Sequence, residues 1–172
     1  MMRENGKYRI MHGCYWIVCG VCFCYLAFYL SGYGYAAKLE KLEMAEGVTV
    51  LCSSAFSDCT GLKEVRLPAS LREMEGYAFF NCTSLEKLQK EAGGGMTMGV
   101  LALGKCSALT QVELGDAVNI GESAFWNCTA LEEIRVPSGV RQIDEDAFLS
   151  CGALRRVMLQ EGLEVISGGV FS

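Results

Sequence analysis

The chain has 172 residues, 51% of them hydrophobic, with ten cysteines, a single histidine and a formal net charge of −5. Setting aside Arg3, Lys7, Arg9 and Glu4 at the extreme N-terminus, 12 basic residues stand against 19 acidic ones, net −7, which speaks against a single-sign field for nucleic acid or acidic polysaccharide. The lone histidine is His12, so the rest of the chain has no residue for a His-dependent triad or a His-containing zinc site.

In chain order, the first predicted element is an apolar helix. Between Arg9 and Lys38 there is no Asp, Glu, Lys or Arg, and Ile10 to Leu30 is apolar except for His12 and two glycines. At about 1.5 Å per residue this run can cross a hydrocarbon layer of roughly 30 Å. The basic residues ahead of it would hold the N-terminus inside, leaving Tyr29, Tyr33 and Tyr35 at the outer interface. A cleaved signal peptide is the alternative, because Gly34-Tyr35-Ala36 supplies small residues for cleavage before Ala37. Residues 1–37 are therefore expected to be a single-pass membrane anchor or a signal peptide. Either would place the remainder at the cell surface or in the medium.

From about residue 39 a phrase recurs. It reads Ala-Phe-x-x-Cys-x-x-Leu at Ala55-Phe56-Cys59-Leu62, Ala78-Phe79-Cys82-Leu85, Ala124-Phe125-Cys128-Leu131 and Ala147-Phe148-Cys151-Leu154, with a weaker copy at Ala102-Leu103-Cys106-Leu109. The alanines step by 23, 24, 22 and 23 residues, a period that means a solenoid whose repeats bury their apolar faces only against one another. Each copy runs on into Leu-x-x-Ile-x-Leu, as in Leu62-Val65-Leu67 and Leu131-Ile134-Val136. There, period-two alternation predicts a short strand, closed at Pro68 and Pro137. A second apolar pair, such as Leu71/Met74 or Val140/Ile143, predicts another short segment before the next alanine. Stacked coils would align Phe56, Phe79, Phe125 and Phe148 as an aromatic spine, and Cys59, Cys82, Cys106, Cys128 and Cys151 as a column.

This grammar resembles the BspA-like leucine-rich repeats, the 23-residue class of bacterial and protozoan surface proteins. Phe79-Phe80-Asn81-Cys82-Thr83-Ser84-Leu85 and Phe125-Trp126-Asn127-Cys128-Thr129-Ala130-Leu131 carry the likeness most closely. The resemblance covers residues 39–172, about five repeats plus a truncated last one. It breaks down at Lys90–Val100 in the third repeat, where Gly93-Gly94-Gly95 and Met96/Met98 stand for the expected turn and second strand and a local irregularity is expected. The fold expected is an α/β repeat, a strand-rich leucine-rich-repeat solenoid with short helical turns, preceded by the N-terminal apolar helix.

The cysteines follow the repeat and not a disulfide pattern. Five form the column, Cys14, Cys19, Cys22 and Cys24 lie in the apolar run, and Cys52 is left over. Buried free thiols are expected in the column, where the resemblance implies a small polar group bonding the backbone inside the turn. Cys19-Gly20-Val21-Cys22 matches C-x-x-C, but an apolar span raises a thiol pKa where redox or metal work needs it lowered. Glu132-Glu133 and Asp144-Glu145-Asp146 are read as solvated charge, and Gly93-Gly94-Gly95 lacks the Lys-Ser/Thr of a phosphate loop. Asn81-Cys82-Thr83 and Asn127-Cys128-Thr129 fit the glycosylation sequon but are also plain repeat grammar. No catalytic, cofactor or metal site is expected.

The strand residues flanking the central apolar position point outward. One column reads Lys41, Glu64, Lys87, Gln111, Glu133, Arg156 and the other Glu43, Arg66, Gln89, Glu113, Arg135, Met158. Signs largely alternate between strands that would lie about 4.8 Å apart, which stabilises the sheet and also makes a mixed-charge candidate face for a protein partner. The sequence stops mid-repeat at Val170-Phe171-Ser172, so Val165, Ile166 and Phe171 are expected on an uncapped edge open to stacking, as in a fragment of a longer array. The function expected is non-enzymatic protein binding. The resemblance implies adhesion to host or matrix proteins, or contact between cells. Two rival readings are a structural spacer from a longer surface protein and a membrane redox or metal protein using Cys14–Cys24.

Overall fold

The structure, a computed structural model, describes residues 39–172 and, as backbone, the strands β1 (Met2–Glu4) and β2 (Lys7–Ile10). From residue 39 the chain winds as a series of stacked coils, each contributing two short strands. One strand of each coil belongs to a first sheet: β3 (Lys41–Met44), β5 (Glu64–Leu67), β7 (Lys87–Lys90), β9 (Gln111–Glu113), β11 (Glu133–Arg135) and β13 (Arg156–Met158). The other belongs to a second: β4 (Val50–Leu51), β6 (Glu73–Met74), β8 (Thr97–Met98), β10 (Asn119–Ile120), β12 (Gln142–Ile143) and β14 (Val165–Ile166). Pairing between coils is parallel and in step with the repeat, as in Lys41↔Glu64↔Lys87↔Gln111. At the N-terminal side β2 pairs parallel with β3, and β1 closes that edge antiparallel to β2.

The core lies between the two sheets and the turns that join them. Leu62, Val65, Leu67, Leu71, Met74, Ala78, Phe79 and Cys82, which make up one circuit of the coil, are all essentially buried. Each large side chain so placed contributes about 1.5–3 kcal/mol. Phe56 stacks on Phe79 at 5.5 Å, and Phe125 on Phe148 at 5.2 Å. Leu103 fills the step between the two stacks and is itself buried.

The helical turns expected from the repeat are not there: no helix occurs among the described residues. The reason is in the backbone. Five successive turns each hold two residues of positive φ, four apart: Ser54/Asp58, Tyr77/Asn81, Leu101/Lys105, Ser123/Asn127 and Asp146/Ser150. A left-handed residue cannot continue a right-handed helix. Instead it aims its N–H along the solenoid axis. Ser54, Phe56 and Asp58 donate to the carbonyls of Gly76, Ala78 and Phe80 in the next coil, while Ala55, Ser57 and Cys59 donate back within their own turn. The turns thus form a third ladder, and the α/β expectation becomes a β-solenoid. The apolar helix expected over residues 10–30, with Cys14, Cys19, Cys22 and Cys24, falls on residues outside those described, apart from Ile10, which ends strand β2. No helix among the described residues is long and apolar enough to cross a membrane.

The third coil is irregular but not slack, and its second strand is retained as β8. Lys90 stands opposite the core residue Leu67, yet its side chain is fully buried. All three protons of its ammonium find acceptors: Glu91 O at 2.7 Å, Gly93 O at 3.1 Å and Asp116 Oδ1 at 3.0 Å. The other Asp116 oxygen accepts from Gly95 N–H at 2.7 Å. Burial alone would raise the Asp116 carboxyl, but Gly95 N–H and the Lys90 ammonium hold it below its ordinary value. The glycine run is thereby gripped from inside, with Met96 and Met98 buried behind it. Both sheets are interrupted just beyond. No paired strands join β9 to β11 or β8 to β10, and the Asn119 amide spans the latter gap, accepting from Met98 N–H at 2.8 Å and donating to Met98 O at 3.2 Å.

Candidate functional site

The outward columns of the first sheet lie side by side, as the strand register requires. Their charges meet across coils and, for Arg66 with Glu64, within one strand. Lys41 Nζ lies 2.5 Å from Glu64, Arg66 Nε lies 3.3 Å from Glu64 and 3.9 Å from Glu43, and Arg156 Nη1 lies 3.2 Å from Glu133. Gln89 donates to Glu113 at 3.0 Å. The Lys41 hydrogen bond, outweighing the effect of burial, keeps the Glu64 carboxyl below its usual range. Each exposed pair is worth about 0.2–1 kcal/mol. Lys87 and Arg135 make no ion pair among the described residues, so the N-terminal part of the face is internally neutralised and the middle part is not. Gln111 and Met158 complete the columns.

The cysteine column lies on the inner side of the turns and is buried throughout, and none of its five thiols is in a disulfide. Four of the five thiols reach back one coil. Cys82 Sγ donates to Phe56 O at 3.2 Å, Cys106 to Phe79 O at 3.2 Å, Cys128 to Leu103 O at 3.3 Å and Cys151 to Phe125 O at 3.1 Å. The same carbonyls accept the cysteine N–H of their own turn. A donor thiol must keep its proton. Burial provides for that, pushing Cys59 up to about 12 and Cys151 to about 11, and raising Cys106 and Cys128 likewise. Such thiols are structural donors and not nucleophiles. Among the described residues no group of three or more His, Cys, Asp or Glu side chains could hold a metal ion.

At the C-terminal end an open cavity of about 410 Å³ is lined by Phe148, Cys151, Leu154, Arg155, Val157 and Phe171. Val165, Ile166 and Phe171 are about half exposed there, and Phe171 stacks on Phe148 at 5.7 Å.

One cluster went unread in the sequence. On the turns, Phe80, Gly104 and Trp126 occupy equivalent positions in successive coils, since Asn81 N–H donates to Gly104 O and Lys105 N–H to Trp126 O. The Lys105 ammonium lies 5.6 Å from the Phe80 ring centre and 5.3 Å from that of Trp126. Tyr77 meets Phe80 edge-on at 5.5 Å. The available signal was Lys105 itself, in a column otherwise read as Asp58, Asn81, Asn127 and Ser150.

Two solved structures show the same fold. A leucine rich cell surface protein from Faecalibacterium prausnitzii A2-165 is 24% identical, with a TM-score of 0.62 over 74% of this chain and 37% of its own. A leucine-rich repeat protein from Eubacterium ventriosum ATCC 27560 is 15% identical, with a TM-score of 0.65 over 77% of this chain and 42% of its own. The chain thus spans less than half the length of either. No curated protein matches it. The model of the BspA type leucine rich repeat region matches in six copies over residues 31–151 and 96–172. The 23-residue coils, the buried Phe and Cys columns and this match place the chain in the BspA-type leucine-rich-repeat family.

Proposed function

We propose that the chain is a non-enzymatic protein-binding module, carried at the cell surface or secreted, that adheres to host or matrix proteins or to other cells. The observation that carries this reading is the first sheet, where parallel strands hold two outward columns of long polar side chains in fixed register. A rigid, repeated surface of this kind orders its contacts before a partner arrives, which lowers the entropic cost of docking. Solenoids of stacked repeats are generally binding scaffolds, and the cell-surface description of the Faecalibacterium protein supports the location.

The test is direct binding of the folded, monomeric chain to immobilised fibronectin, fibrinogen, collagen and intact host cells. Saturable binding is expected, and none above background on any of them would overturn the adhesive reading. Protease shaving of intact cells tests the location, with release of peptides from 39–172 expected before the cells are broken.

A spacer role is the second reading, favoured by one observation. Lys41, Glu43, Glu64 and Arg66 satisfy one another and leave little charge for a ligand. A spacer would bind none of these proteins, yet would lose sheet stability when Arg66 is replaced by Gln.

A further inference from the structure

We draw no further inference here: the strongest candidate, the apolar end of the last coil at Val165, Ile166 and Phe171 with the open cavity beside Phe148, Cys151 and Leu154, carries nothing because nothing in the structure shows what covers it.

Discussion

The Lys90–Asp116 pair should respond to mutation in a strongly asymmetric way. Asp116→Ala would leave the Lys90 side chain, which has no solvent exposure, with two backbone carbonyls and no counter-charge, and would also strand Gly95 N–H. Removing one partner of a buried pair costs about 3–5 kcal/mol. The Asp116 side chain keeps 34% exposure, so water can reach part of the vacated site and the lower end applies, about 3 kcal/mol. Lys90→Met acts on the other side. It puts an apolar chain of similar length opposite Leu67, while Asp116 keeps Gly95 N–H and its access to water. Two carbonyls lose a donor, so the net change should stay within about 1 kcal/mol of the parent.

Urea unfolding of the full chain, followed by far-ultraviolet circular dichroism, measures both. With an m-value of about 2 kcal/mol/M, Asp116→Ala should lower the midpoint by about 1.5 M and Lys90→Met by less than about 0.5 M. The double variant should recover most of the Asp116→Ala loss, because no charge remains to be buried. The account fails if Asp116→Ala costs under about 1 kcal/mol, or if Lys90→Met proves as damaging as Asp116→Ala.

Other outcomes follow from the same geometry. Because its native carboxyl is lowered, Asp116 contributes stability that is complete above the ordinary Asp value of 3.8 and is lost as pH falls through the native one. Acid unfolding should therefore begin at higher pH in the parent than in Lys90→Met/Asp116→Ala, each measured relative to its own stability at neutral pH. The column cysteines should resist iodoacetamide at pH 8.5, with Cys59 up at about 12 and Cys151 at about 11, and should label only when urea unfolds the chain, as read by intact mass. Gly121→Ala should destabilise by about 1–3 kcal/mol, since the added Cβ would lie 2.3 Å from Met98 O. Gly152→Ala, with nothing within 4 Å, should be near neutral in the same melt.

The period was legible because the inward positions repeat with their chemistry intact: Ala55, Ala78, Ala102, Ala124 and Ala147 register the coils, and the apolar pairs between them face the core. The turn conformation was only half written. Asp58, Asn81 and Asn127 are residue types that tolerate a left-handed backbone, but Tyr77, Leu101 and Lys105 adopt it too and announce nothing. There the next coil dictates the conformation by accepting their N–H groups. Lys90 was unreadable for a related reason. A charge in a core column makes sense only beside Asp116, which lies 26 residues away along the chain and one coil away in space.

Departures from the repeat are not scattered. Lys90, the glycine run at 93–95 and Asn119 alter the sheets at the third and fourth coils, and Phe80, Gly104, Lys105 and Trp126 alter the turns of the second to fourth. A repeat array is stabilised by likeness between neighbours, so each departure tends to cost something that a consensus residue would not. The inner departures offset their own cost: the buried ammonium is fully bonded and Asn119 replaces a missing backbone rung. The outer ones do not. Phe80 and Trp126 leave ring surface in water, and Lys105 has no carboxylate among the described residues. A locally consistent fold breaks its own rules chiefly where something other than folding is being served. On that reasoning the buried Lys90–Asp116 pair and the Asn119 amide are departures that folding itself accounts for, whereas the Phe80–Lys105–Trp126 cluster is one that it does not.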